Sequence, residues 1–256
     1  MKIKKTIRKV LIPFKAQLEL IAQLECWIAG AWTSNAHHRL MLIQWGLPPP
    51  PEHFDYRINL FYHWLHSRSS MWLERGVFGS LALLGGEVLE LSCGDGFNAR
   101  NFYSLRSKRV VACDFDPNAI RTARRENAAP NVEYVLCDIR KEMPQGRFNN
   151  VVWDAAIEHF TLDEIHGILS RVKERLLPGG VFSGYTIAAR SELRSLIHHE
   201  HEFRNKEELL AVLRPFFYNV TVFETQFPER DNLYWWASDK TLPFRDGWQR
   251  AVFAGE

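Results

Sequence analysis

Val88-Leu-Glu-Leu-Ser-Cys-Gly-Asp-Gly-Phe97 decides the fold of this chain. Val88 to Leu91 reads as a buried strand, and it stops at a glycine turn that opens a helix over Phe97 to Leu105. Gly94 and Gly96 let backbone amides approach a ligand closely. The N-terminus of the helix beyond them favours a polar or anionic group. A strand, a glycine turn and a helix in this order hold a nucleotide, and the turn alone leaves two kinds open. Gly94-x-Gly96-x-x-Ala99 fits the dinucleotide fingerprint, with Asp114 about where a ribose-binding acid belongs. Against that, Glu90 puts a carboxylate on the strand just before the turn, where a dinucleotide-binding strand is apolar. A carboxylate there suits a cationic, amino-acid-bearing ligand better than a pyrophosphate. Asp138, after the third strand, is placed to accept a hydrogen bond from an adenine amine.

Outward from the turn, short β-like runs alternate with helical patterns, the signature of a parallel α/β sheet. Arg109 to Asp114 is the second strand. Asp116-Pro117 supplies an N-cap with proline at the first helical position, and that helix runs to about Ala128. Val132 to Cys137 and Asn150 to Asp154 are the third and fourth strands. Thr161-Leu-Asp-Glu164 is a capping box that opens a helix to Leu177. Pro178-Gly179-Gly180 stops it, and Val181 to Tyr185 is the fifth strand. Asn205-Lys-Glu-Glu208 opens another helix. Val220 to Thr225 and Leu233 to Ala237 are joined by a loop too short for a helix, so they pair antiparallel. The expected body, residues 76–256, is a Rossmann-like, mostly parallel seven-stranded sheet with an antiparallel last strand and helices on both faces. Residues 1–75 form a helical, aromatic-rich extension.

These pieces resemble, in order, the class I methyltransferases that use S-adenosylmethionine, over about residues 80–240. Glu90-Leu-Ser-Cys-Gly-Asp-Gly96 looks like the family's glycine motif, with Ser92 in place of its first glycine and Cys93 beside it. Val110-Val-Ala-Cys-Asp-Phe-Asp-Pro-Asn-Ala-Ile120 looks like the second-strand motif. The resemblance implies that Asp114 holds both ribose hydroxyls and that Phe115 lies against the adenine. Cys137-Asp138-Ile139 matches the adenine-edge motif. Phe148-Asn-Asn-Val-Val-Trp-Asp-Ala155, which includes Asp154, resembles the fourth-strand motif, and Leu176-Leu-Pro-Gly-Gly180 the segment before strand five. The implied cofactor is S-adenosylmethionine, and no metal is expected. Two rival functions stay open: a nicotinamide-dependent oxidoreductase, from the glycine spacing, and a non-catalytic binding subunit on the same fold.

Substrate identity belongs in the crevice beyond the carboxyl ends of strands four and five. The Asn/Asp-Pro-Pro-aromatic motif of DNA-adenine and protein-glutamine methylation is absent after strand four. Glu158-His159 stands there instead, a candidate catalytic pair in which His159 could act as general base for a hydroxyl acceptor, unless both residues only orient the loop and helix. Tyr185-Thr186 ends strand five, and His198, His199 and His201 follow with Glu200 and Glu202. Their spacing fits no recognised structural metal arrangement, so this segment is expected to face solvent or the acceptor. Tyr56, Tyr62, Trp64 and Trp72 are candidate stacking walls for a ring compound. They accord with a small-molecule or glycan acceptor, the glycan being implied by resemblance to methyltransferases of bacterial surface-polysaccharide pathways.

Composition narrows the classes further. The net charge is +2, but the first 15 residues hold Lys2, Lys4, Lys5, Arg8, Lys9 and Lys15 and no acid. The rest of the chain is mildly acidic, which speaks against a large nucleic-acid footprint on the body. No apolar stretch reaches the roughly 18 residues of a membrane span. Pro13, Lys15, Glu19 and Glu25 interrupt any secretory core, so a cytoplasmic protein is expected. Cys26, Cys93, Cys113 and Cys137 lack metal or disulfide spacing and read as reduced thiols. Phe14, Leu18, Ile21, Leu24 and Ile28 share one helical face. Packing on the body, a peripheral membrane contact and a dimer or other partner contact all fit that face, and oligomeric state is not encoded in it. Pro48 to Pro51 must be extended and separates two N-terminal helical pieces.

Overall fold

The structure, a computed structural model, describes residues 12–47, 71–190, 198–227, 230–240, 242, 244–245 and 250–251. The chain divides into two compact units, one of residues 1–51 and 57–69 and the other of residues 52–56 and 70–256. In the first, helix α1 (Lys15–Gly46) follows a short 3-10 turn. Phe14, Leu18, Ile21, Leu24 and Ile28 are all exposed, Trp32 continues that row, and Leu20 and Trp27 add exposed apolar surface outside it. The basic run up to Lys9, the proline run, Tyr56, Tyr62 and Trp64 lie outside the described residues. No described helix is long and apolar enough to cross a membrane.

The second unit opens with helix α2 (Met71–Leu81), which spans the division expected from sequence between residues 75 and 76. Seven strands then form one sheet: β1 (Glu87–Leu91), β2 (Arg109–Asp114), β3 (Val132–Leu136), β4 (Phe148–Asp154), β5 (Leu176–Ala188), β6 (Asn219–Gln226) and β7 (Asp231–Ser238). Their spatial order is β3-β2-β1-β4-β5-β7-β6. β1 to β5 run parallel, and β7 is antiparallel to both β5 and β6. This is the expected seven-stranded Rossmann-like arrangement. Helices α3 (Phe97–Asn101), α4 (Pro117–Glu126), α5 (Leu162–Arg175) and α6 (Lys206–Leu213) connect the strands. A two-residue pair, β8 (Phe244–Arg245) with β9 (Arg250–Ala251), lies outside the sheet.

Strand alternation explains why both faces are covered. Leu89, Leu91, Val151 and Trp153 join Ile165, Ile168 and Leu169 of α5 in one core. Val88, Val110 and Val152 join Ala99 of α3 and Ile120 of α4 in another. On β7, Trp235 belongs to the first core, while Tyr234 and Trp236 pack with Tyr185 in a third.

Local signals place the helix starts as expected. The Asp116 side chain accepts from Asn118 N–H with Pro117 at the first position, and Thr161 and Glu164 form the reciprocal capping box. Helix ends differ. α5 stops at Arg175, two residues short of the expected Leu177, because Leu176 already pairs with Phe148. The register then shifts, Asn150 meets Val181, and Pro178-Gly179-Gly180 is looped within β5. At its other end β5 runs to Ala188, since Thr186, Ile187 and Ala188 pair with β7. α3 ends at Asn101 and gives way to a 3-10 turn over Tyr103–Arg106.

Candidate active site

The site lies at the carboxyl ends of β1, β2 and β4, the edge where an open α/β sheet receives ligands. After β1 the chain turns through left-handed backbone at Ser92 (φ 53°), Gly94 (φ 53°) and Gly96 (φ 76°). Glycine adopts this region freely, while serine there carries steric strain of about 1 kcal/mol. A Cβ on Gly96 would meet the Tyr134 ring at 2.5 Å, so the turn is closed from behind. The Tyr134 hydroxyl donates to the Gly96 and Asn127 carbonyls, and the Asn127 amide donates to the Asp95 carbonyl. β3 and the end of α4 thus hold the turn against the strand edge.

Asp114 ends β2 and anchors the turn from the side. Its Oδ2 accepts from Gly94 N–H at 2.9 Å and its Oδ1 from Asp116 N–H at 2.9 Å. Phe115 follows with its ring 65% exposed, and the Arg140 guanidinium stands 5.8 Å from that ring's centroid. Arg140 also grips both carboxylate oxygens of Asp138. That ion pair lowers the Asp138 carboxyl to a pKa of about 2. Asp138 therefore meets the site already engaged by a cation. The Ile139 side chain is buried in the core, so its backbone is what it could offer a ligand. Cys93 is buried, and its thiol is pushed up by burial and then by the nearby Glu90 carboxylate.

Glu90 is the unusual group. It is 2% exposed, and its Oε2 has no hydrogen-bond partner among the described residues. Burial pushes its carboxyl well above the usual range, and Asp154, Asp95 and Asp114 push in the same direction. A buried, unpartnered acid beside three other carboxylates is costly unless a cation or donor joins it. Asp154, at the end of β4, is raised to about 6 by burial, with Arg75 opposing and Glu158 reinforcing. Its Oδ2 accepts from the Asn98 amide at 2.7 Å. Arg75 of α2 and Asn98 of α3 are thus site residues that strand-end motifs did not reveal. No local motif marks them, because only tertiary packing brings them to β4.

On the acceptor side, the 3-10 turn Ile157–His159 follows β4. Glu158 is buried, with Oε2 accepting from the Thr186 hydroxyl at 3.0 Å, while His159 is exposed. The backbone N–H groups of Glu200 and His201 donate to the Glu158 carbonyl. This folds the histidine-rich segment over the turn and brings the His159 and His199 rings to 4.8 Å between centroids. Tyr185 is buried and donates to Asn232, so Thr186 is the member of the Tyr185-Thr186 pair that reaches Glu158. The side chain of Trp72 lies outside the described residues.

Residues 88–180, from the first strand through the glycines of the Leu176–Gly180 segment, match the family described as "Methyltransferase domain". Those residues carry a methyltransferase domain, and the fold is that of the class I methyltransferases. Among curated relatives of this chain, a ribosomal protein L11 methyltransferase of Pelobacter propionicus is 32% identical over 189 residues, 67% of this chain and 59% of that protein. One of Aliivibrio salmonicida is 27% identical over 164 residues, 59% of this chain and 53% of that protein. The chain therefore spans between half and three-fifths of the length of these two relatives. In fold it is similar to the N-methyltransferase NodS from Bradyrhizobium japonicum in complex with S-adenosyl-L-homocysteine, with a TM-score of 0.54, 16% identity, and 80% of this chain and 97% of that one covered. It is likewise similar to a DhpI–SAH complex, with a TM-score of 0.53, 21% identity, and 69% and 91% covered.

Proposed function

We propose that this methyltransferase transfers a methyl group from S-adenosylmethionine to a hydroxyl of a small-molecule or glycan acceptor. The observation that carries the cofactor half is Glu90, a buried carboxylate with an unpartnered oxygen at the glycine turn. When bound, the cofactor supplies an electrophilic methyl on a sulfonium. Its amino-acid ammonium is the kind of donor Glu90 lacks. Asp114 is positioned for the ribose hydroxyls, Phe115 offers an exposed face to the adenine, and Ser92, Cys93, Gly94 and Gly96 let the chain pass close by. Ile139 contributes backbone at the adenine edge, beside Asp138. Asp154 and Asn98 close the methionine side. An acidic site of this kind disfavours the pyrophosphate of a nicotinamide cofactor.

For the acceptor half, the Glu158–His159 corner adjoins Asp154 and supplies an imidazole where a hydroxyl proton must leave. Alignment and exclusion of water then do most of the catalytic work. A protein acceptor is the second reading, favoured by the relatives named for ribosomal protein L11. Incubating the purified chain with radiolabelled S-adenosylmethionine and fractionated extract of the source organism separates the two. Label in a low-molecular-weight or glycan fraction is expected, and label confined to protein would overturn the acceptor assignment. In a thermal-shift comparison, stabilisation by NAD but not by S-adenosylmethionine would overturn the cofactor assignment.

A further inference from the structure

The histidine-rich segment and the turn after β4 assemble something that neither shows alone. One potential ligand atom from each of Glu158, His159 and His199 lies within 4.8 Å of the other two. We propose that these three residues bind a divalent transition-metal ion at the acceptor side of the site.

The surrounding contacts are those that prepare ligands for a metal. Nδ1 of His199 is hydrogen-bonded to a carboxylate oxygen of Glu202. Nδ1 of His159 meets the carbonyl of His198 at 3.1 Å. An acceptor at each Nδ1 fixes the ring proton there and puts the lone pair on Nε2, the tautomer that coordinates a metal through Nε2. Glu158 is oriented by the Thr186 hydroxyl on one oxygen, which leaves the other to coordinate. Two imidazoles and one carboxylate form an N2O set suited to zinc, cobalt or a similar ion. Bonds of about 2.1 Å draw the three atoms in by small side-chain rotations. Three protein ligands leave a coordination position open, the pattern of a catalytic rather than a structural site.

The place gives the ion a task that rests on the proposed methyl transfer. Glu158 is close enough to Asp154 to raise its carboxyl, so the cluster adjoins the cofactor residues. An acceptor hydroxyl bound at the open position becomes more acidic and releases its proton to solvent. Its oxygen then forms the new O–CH3 bond as the S–CH3 bond of the sulfonium breaks, and the sulfur keeps the electron pair as a neutral thioether. In this arrangement His159 is a ligand, and the ion rather than an imidazole base acidifies the hydroxyl. Spacing along the chain hid the site, because His199 reaches it only through the fold-back onto the Glu158 carbonyl.

The test uses the full chain, freed of metal with a chelator and titrated with Co2+ alone. Expected are binding of one Co2+ per chain with visible ligand-field absorption, and displacement by Zn2+ followed by calorimetry. His159→Ala, at an exposed position that leaves folding intact, and His199→Ala should weaken binding by at least tenfold. Glu202→Gln should weaken it by about 10- to 100-fold without removing a ligand. S-adenosylmethionine affinity, measured in parallel, should stay near wild type in His159→Ala. Failure of the wild-type chain to bind Co2+ or Zn2+ stoichiometrically would overturn the proposal, as would wild-type metal affinity in His159→Ala and His199→Ala. Metal binding in a chain that ignores S-adenosylmethionine would support the site and overturn only the proposed transfer.

Discussion

The backbone N–H of Gly94 donates to Oδ2 of Asp114 at 2.9 Å, tying the glycine turn of the first strand to the end of the second. One carboxylate thereby braces both the turn and the segment that follows β2. A hydrogen bond to a charged group contributes about 1.5–3 kcal/mol. Asp114→Ala should therefore weaken S-adenosylmethionine binding by about tenfold or more and also lower the Tm of the ligand-free chain. Asp114→Asn, which keeps one oxygen, should fall between. Calorimetry and thermal unfolding of the three proteins check this, and wild-type affinity in Asp114→Ala would remove Asp114 from the site.

Glu90 should respond in opposite directions with and without cofactor. Its carboxyl is raised by burial first and by Asp154, Asp95 and Asp114 next. Glu90→Gln removes that repulsion at constant shape, so the ligand-free chain should gain stability, with Tm rising about 2–4 °C for each kcal/mol gained. The same change removes the partner of a cationic ligand, and S-adenosylmethionine affinity should fall at least about tenfold. A lower Tm together with unchanged affinity would show that Glu90 is a structural acid.

Ser92 holds left-handed backbone where glycine would be unstrained. Ser92→Gly should relieve about 1 kcal/mol of strain, offset in part by the entropy glycine brings to the unfolded chain. A net gain of about 0.5 kcal/mol in urea unfolding is expected, with S-adenosylmethionine affinity unchanged within twofold. Gly96→Ala should do the reverse, because its Cβ would run into the Tyr134 ring and its φ is 76°. A clear loss of affinity in Ser92→Gly would mean that the hydroxyl itself touches the ligand.

How much of this could be read beforehand depended on the range of the interaction. The glycine turn, the Asp116-Pro117 cap and the Thr161–Glu164 box are local, and each formed where its residues placed it. The fold class followed from the order of such pieces. What stayed hidden needs distant partners. The extra length of β5 exists because β7 pairs with it. Asn98 and Arg75 become site residues only once their helices dock beside β4. The histidine-rich segment reads as facing solvent or the acceptor, and its His199 is buried beside Glu158 and His159.

Asp154 should make folding stability depend on pH. Its carboxyl is raised by burial from an ordinary value of 3.8 to about 6. Below about pH 4 both folded and unfolded chains carry the proton, and the group makes no difference. Between about pH 4 and 6 the unfolded chain ionises first, so stability falls as pH rises, and above about pH 6 the loss is complete at about 3 kcal/mol. Asp154→Asn keeps an oxygen for Asn98 and removes the titration. Its stability relative to wild type should grow by about 3 kcal/mol from pH 4 to 7 in urea unfolding. A difference that stays constant across that range would show that Asp154 titrates normally.

Glu74 should prove to be a structural keystone of the last two strands. Its Oε1 accepts from the Thr225 hydroxyl at 2.7 Å, the Asn232 amide at 2.8 Å and the Tyr234 hydroxyl at 2.7 Å. Asn232 and Tyr234 are buried on β7, so losing this acceptor strands donors that water cannot reach. Each orphaned buried group costs about 1–3 kcal/mol. Glu74→Ala should therefore destabilise the chain by about 3 kcal/mol or more in urea unfolding. Glu74→Gln, which retains an Oε1 acceptor of weaker charge, should cost less than half of that. If Glu74→Ala changes stability by no more than a typical surface substitution, about 0.5 kcal/mol, then α2 is not held to the sheet through this carboxylate. A large effect instead makes α2 part of the catalytic body. Arg75, the next residue, is then delivered to Asp154 by the same helix that Glu74 fixes, so loss of Glu74 should also weaken S-adenosylmethionine binding even though the Glu74 carboxylate itself bonds to β6 and β7.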